Sequence, residues 1–211
     1  MARKYELISE LYDRTCKTVV SNPQSWQKFL ESACRNYKLR FDEQLLIFAQ
    51  RPDATACASL EMWNERMFCW VNRGAKGIAL IDGESERPKL RYVFDVSDVH
   101  KARRIGKDPF IWHLREEHKE VVLAELEHIY GSTNAFLPFE NRIYEIAERI
   151  AEDFYAEAVD EVIDEAANSF LEDLDGDAVA VRFQEMLVQS VSYTILKRCG
   201  CDMTEFADDF T

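Results

Sequence analysis

The sequence predicts an α+β fold, mostly helical, with one small antiparallel β-hairpin over about residues 76–96. Three observations lead there. Apolar residues recur at three- and four-residue steps over most of the chain, the period of an amphipathic helix. Two short runs, "KGIALID" (76–82) and "LRYVFDV" (90–96), are rich in β-branched and aromatic residues and are joined by the turn-like "GESERPK". The composition, 47% hydrophobic and 31% charged over 211 residues, suits a chain that buries a core of its own.

Each element has its own signal. Ile8, Leu11, Tyr12, Cys16 and Val19 mark a helix over 3–20. Asn22 is an N-cap candidate and Pro23 a first helical residue, opening a helix over 23–38 with Trp26, Phe29, Leu30, Ala33 and Tyr37 on one face. Arg35, Lys38 and Arg40 at its end suit the helix dipole. A third helix, 41–50, stops before Pro52. The loop "RPDATACA" leads to a short helix near Leu60–Met67, with Ser59 as cap and Trp63 turned inward. After the hairpin, residues 97–110 read as a basic connection holding His100, Lys101, Arg103, Arg104 and Lys107.

The remainder reads as helix. One spans 114–129 and breaks at Gly131–Asn134. The next is marked by Ile143, Ile146, Ile150 and Phe154 and continued by Val159, Val162, Ile163, Ala166 and Phe170. The last, 178–198, is the most apolar and is expected in the core through Val179, Phe183, Leu187, Val191 and Ile195.

Charge divides the chain. Residues 1–110 carry 19 Lys and Arg against 15 Asp and Glu, a balance of +4; residues 111–211 carry 7 against 24, a balance of -17. The expected organisation is a mildly basic α+β region, 1–110, with an acidic helical region, 111–211, packed on it as one compact unit. A basic surface suits phosphate, and an acidic one suits a basic partner. No apolar run reaches the ~18 residues that span a bilayer, and "MARKYELISELYDR" lacks the apolar core of a signal peptide, so the expectation is a cytoplasmic chain without a membrane partner. The six cysteines show no Cys-x-x-Cys spacing and read as small buried hydrophobes.

Several motifs are near misses. "HLREEHKE" (113–120) sets His113 and His118 five apart, about 140° round a helix, where a zinc protease needs four. "DLDGD" (173–177) starts like a calcium loop but lacks its closing glutamate. No nucleophile elbow, Walker A or dinucleotide fingerprint is present, so no metal, cofactor or catalytic residue is expected. Two charged features remain. Glu152, Asp153, Glu157, Asp160, Glu161, Asp164 and Glu165 form an acidic ladder, read either as a solvated face or as a surface for a basic cleft. "FCWVNRGAKGIALID" (68–82) sets Arg73 and Lys76 between Gly74 and Gly77, beside Trp70; cations interleaved with aromatics are the composition of a strand-binding surface, although a plain turn has the same residues.

Residues 41–82 resemble the N-terminal domain of ArdC-type antirestriction proteins. The shared pattern is Gln44 to Ile47, Gln50 and Pro52, Ala54-Thr55, Trp63, and Arg73 to Ile78. "RPDATACA", "RGAKGIALID", "LRYVFDVSD" and "SYTILKRCG" extend the likeness, over nearly the whole chain, to the N-terminal region of large helicase–methylase proteins of conjugative elements and phages of Firmicutes. The resemblance implies binding of DNA, single-stranded in particular, and protection of mobile DNA against host defence, antirestriction or anti-CRISPR in kind. The metallopeptidase-like domain of ArdC proteins has no counterpart here. Two departures stand out: Glu43 replaces the commoner Asn, and Phe68-Cys69 replaces Gly-Arg. The expected DNA contacts are Arg73, Gly74, Lys76, Gly77, Trp70, Arg103, Arg104 and Lys107, with the acidic ladder facing a host nuclease. The other expected role is a single-stranded-DNA-binding accessory domain for transfer or replication.

Overall fold

A computed structural model describes residues 2–83, 89–101, 109, 111–167, 169 and 171–201. The fold is α+β and mostly helical, with small antiparallel sheets. It divides into two compact units, Met1–Trp112 and His113–Thr211.

The N-terminal unit begins with α1 (Ala2–Val19), α2 (Pro23–Ala33) and α3 (Phe41–Gln50). Asn22 caps α2, its side chain accepting from Ser25 N at 2.8 Å. The strands β3 (Ile78–Ile81) and β4 (Leu90–Asp95) pair antiparallel, Ile78 opposite Val93 and Ile81 opposite Leu90, so the expected hairpin is present. On the other side of β4 lies β1 (Cys57–Ser59), giving the order β1-β4-β3. Ile8 of α1 and Leu46 and Ile47 of α3 close over Ile78, Ala79, Leu80 and Val93. This apolar cluster is the heart of the unit.

Side-chain amides and carboxylates finish what the short strands leave open. Gln50 accepts from Ala79 N (3.0 Å) and donates to Ala79 O (2.8 Å), so its amide stands where a further strand would pair with β3. Asn36 accepts from Cys57 N and donates to Ala54 O. Asp95 is buried and accepts from the backbone N–H of Thr55, Ala56 and Ser97. Burial alone would raise its carboxyl; the donors Ser97, Ala56 and Thr55 outweigh that and hold it below the ordinary range. Burial pushes the neighbouring Cys57 thiol up to about 12.

Three expectations change. First, α2 ends at Ala33, not 38. Residues beyond it turn because Asn36 is drawn inward and Arg35 donates to Ala54 O (3.0 Å) and Pro52 O (2.6 Å), bonds that outweigh another helical turn. Second, the segment after α3 is not all loop, since it contains β1. Third, a second sheet pairs β2 (Cys69–Val71) with β5 (Val99–Lys101), within what read as a turn and a basic connection. A π-helical turn, Met62–Arg66, precedes β2; Ser59 Oγ accepts from Met62 N, and buried Trp63 donates its indole N–H to Phe94 O at 2.9 Å.

The C-terminal unit consists of α4 (Glu116–Tyr130), α5 (Phe139–Ala166) and α6 (Gly176–Cys199), α5 packing on both others. Leu123, Ile143, Ile146, Ala147, Ala151 and Leu196 are fully buried. Of the residues expected to seat α6 in the core, Val179 is buried and Phe183, Leu187, Val191 and Ile195 are half-buried; Tyr193 and Leu196 are buried as well, and Val181 and Met186 are exposed. His113 precedes α4, so it and His118 do not share a helix. His118 instead accepts from Arg115 N, opening the helix.

Candidate nucleic-acid interface

The segment 68–78 is built from the backbone up. Ala75 N donates to Asn72 O (3.0 Å), closing a four-residue turn, and Asn72 N donates to Asp98 O (2.8 Å), tying the turn to the approach of β5. Gly74 has φ of 90°, a conformation that side chains rarely adopt, while a Cβ there would meet nothing within 4 Å. Its glycine is therefore set by the turn. Gly77 differs: a Cβ there would lie 3.1 Å from the Phe94 ring and 3.2 Å from Tyr92 Cβ. Its glycine lets the chain enter β3 close against β4. Both glycines thus have architectural causes, and the Ala75 N–H is spent on the turn. Arg73 and Lys76 are both exposed and without an ion pair among the described residues.

Trp70 sits at the centre of β2, 47% exposed, directly opposite His100 of β5. Opposed residues of an antiparallel pair project from the same face. His100 Nδ1 lies 2.7 Å from Asn72 Oδ1. An amide oxygen only accepts, so Nδ1 carries the proton and Nε2 stays available. Trp70, His100 and the cationic turn therefore make up one short stretch of sheet and its continuation. Phe68, beside β2, is exposed and has a left-handed backbone with φ of 51°. Arg103, Arg104 and Lys107 lie outside the described residues.

The motif residues divide by role. Gln44 donates to Asn36 O and Leu39 O, Gln50 binds Ala79, Thr55 N binds Asp95, and Trp63 binds Phe94 O. Glu43, one of the departures, is buried, accepts from Arg40 N and pairs with Arg91, whose Nε is 3.1 Å away. All of these hold the fold. The side chains of Arg73, Lys76 and Trp70, in contrast, make no hydrogen bond or ion pair among the described residues. His100 escaped the sequence reading as a companion of Trp70 because a three-residue strand shows no alternation to detect.

On α5, all seven ladder carboxylates are exposed. At 100° per residue, Asp153, Glu157, Asp160, Glu161 and Asp164 fall in an arc of about 100°, Glu165 lies about 40° beyond it, and Glu152 projects from the other side of the helix. Tyr155, Val159, Val162, Ile163 and Ala166 fall on the opposite side, where Tyr155 stacks on Phe183 of α6 with centroids 6.1 Å apart. Glu152, Asp153, Glu157, Asp160, Glu161 and Glu165 make no ion pair among the described residues.

The six cysteines are free thiols, and among the described residues no group of three or more His, Cys, Asp and Glu is arranged to hold a metal. Burial raises the Cys199 and Cys201 thiols, the latter to about 12. No described helix is long and apolar enough to cross a membrane. No family model matches this chain, and neither a curated protein nor a solved structure matches it.

Proposed function

We propose that this chain is a non-enzymatic anti-defence protein of a mobile genetic element that acts by binding DNA, or a host nuclease engaged on DNA. DNA meets the β2–β5 face: Arg73 and Lys76 contact phosphate, and Trp70 stacks on a base. The acidic arc of α5 meets the basic surface of the nuclease. One observation carries the reading: the side chains of Arg73, Lys76 and Trp70 are exposed and make no hydrogen bond or ion pair among the described residues, while their motif companions Gln44, Gln50 and Trp63 are spent on internal hydrogen bonds. Phe68 adds support, since its left-handed backbone is one that glycine favours, and glycine is the residue the ArdC-type resemblance has there.

The test is a salt-dependent gel shift on single- and double-stranded DNA, alongside cleavage assays with restriction and CRISPR nucleases. Arg73→Glu with Lys76→Glu reverses two charges at an exposed turn. It should abolish the shift at moderate salt while leaving the melting temperature unchanged. An unaltered shift would remove these residues from the interface. Binding to DNA without protection against any nuclease would favour the second reading, an accessory domain for transfer or replication.

A further inference from the structure

A loop of the C-terminal unit presents an aromatic ring to solvent. Residues 131–138 join α4 to α5, and Phe136 within them is 97% exposed. A single exposed apolar side chain is ordinary on a protein surface. What sets this one apart is the fixation of the loop beneath it. Arg149 of α5 donates to Gly131 O (2.6 Å), Ser132 O (2.8 Å) and Tyr130 O (3.3 Å). Glu127 accepts from Thr133 N and from the Thr133 hydroxyl, and pairs with Arg142 at 2.8 Å. Glu145 accepts from Asn134 N, and Asn134 Oδ1 from Phe136 N. Four charged side chains are thus spent on holding a short loop whose largest apolar group, Phe136, faces water. A loop backbone held this way loses little conformational entropy when the ring it carries is buried, which is the property of an interface anchor.

The surroundings select the occupant. The outer side of α4, which leads into the loop, exposes Val121, Ala124, Glu125, His128 and Ile129 within an arc of about 140°. The helix carries five Glu against one Lys. The half of the chain to which it belongs, 111–211, has a charge of -17. A second copy docking through the same surface would bring equal charge against equal charge, and nucleic acid or an anionic bilayer would be repelled in the same way. We infer that Phe136 and the outer side of α4 form a docking surface for a protein partner with an apolar pocket rimmed by Lys and Arg. This surface belongs to the protein-partner half of the function proposed above. It is separable from the nucleic-acid half, because the gel shift reads Arg73 and Lys76 alone.

The test uses the full chain and a random 15-residue peptide library displayed on phage, selected on the natural protein and counter-selected on Phe136→Ser. The substitution lies in open solvent, so equal melting temperatures establish that the variant folds. The expected outcome is a set of peptides combining aromatic or aliphatic residues with Lys and Arg. They should bind Phe136→Ser at least ~10-fold more weakly, the scale of losing an anchor aromatic, and weaken as salt rises. Arg149→Ala, which keeps Phe136 and removes the loop's three carbonyl bonds, should weaken them several-fold. An acidic or uncharged consensus, or no peptide that depends on Phe136, would overturn the inference. So would Phe136-dependent self-association in sedimentation, which would make the occupant a second copy.

Discussion

At the scale of single residues, the departures from the ArdC-type pattern come with structural counterparts. Glu43 is buried and ion-paired with Arg91 of β4. Removing Arg91 would leave that carboxylate buried without its cation. Arg91→Ala should therefore cost about 3 kcal/mol, the low end for a broken buried pair because Arg91 is itself a third exposed. Denaturant unfolding measures it, and a cost under ~1 kcal/mol would show that the pair contributes little. Phe68 bears on the backbone instead. With φ of 51° it is in a region that costs an L-residue about 1 kcal/mol. Phe68→Gly should leave the melting temperature unchanged or raise it. Phe68→Val, β-branched at the same φ, should lower it.

At the scale of elements, the loop between α4 and α5 has a pH dependence with a definite sign. The hydrogen bond from the Thr133 side chain, followed by that from Arg142, draws the Glu127 carboxyl down from 4.5 to about 2. A depressed carboxyl contributes its stability in full above its unfolded value and loses it as pH falls through the folded one. The clamp is thus complete above about pH 4.5 and released as pH falls toward 2. The Thr133 amide, which donates to Glu127, should report this in an NMR titration. Its shift should follow a midpoint near 2; a midpoint near 4.5 would show that the clamp does not hold in solution. Helix α5 owes its legibility to length. Over its second half, residues 153–166, most acidic and apolar positions fall on opposite sides, whereas in the first half Ile143, Ile146 and Ile150 occupy the angular range the carboxylates take later. Strands β2 and β5 are the reverse case. Three residues each cannot display a period of two, so neither they nor the Trp70–His100 pair could be read in advance.

At the scale of the whole molecule, net charge opposes the proposed contact with DNA. The chain carries -13 in total, and the proposed contact engages only a few cations. Counterion release favours binding as salt falls, with a slope near 0.7 per neutralised phosphate on a single strand. The Debye length, however, grows from about 10 Å at 0.1 M to about 30 Å at 0.01 M, so repulsion between the strand and a chain of net charge -13 strengthens at low salt. A plot of log affinity against log salt should therefore be shallow above ~0.1 M and flatten or turn over below it. A straight, steep line through the whole range would mean that many more cations are engaged.

The sequence by itself determined the helices, the β3–β4 hairpin, the opposing charges of the two halves and the exposed acidic side of α5. Each of these is written in local periodicity or composition, which act over a few residues or sum over many. Only the tertiary structure decided where α2 stops, because Asn36 and Arg35 bind backbone groups about 20 residues away. It likewise decided that Gly77 exists for the Phe94 ring, that Gln50 closes the edge of β3, and that His100 faces Trp70. These contacts join residues 17 to 30 positions apart, and no local pattern records them. In "NRGAKG" the two readings of the sequence separate by atom: the backbone and glycines form the turn, and the exposed side chains of Arg73 and Lys76 are the ones the proposed contact uses.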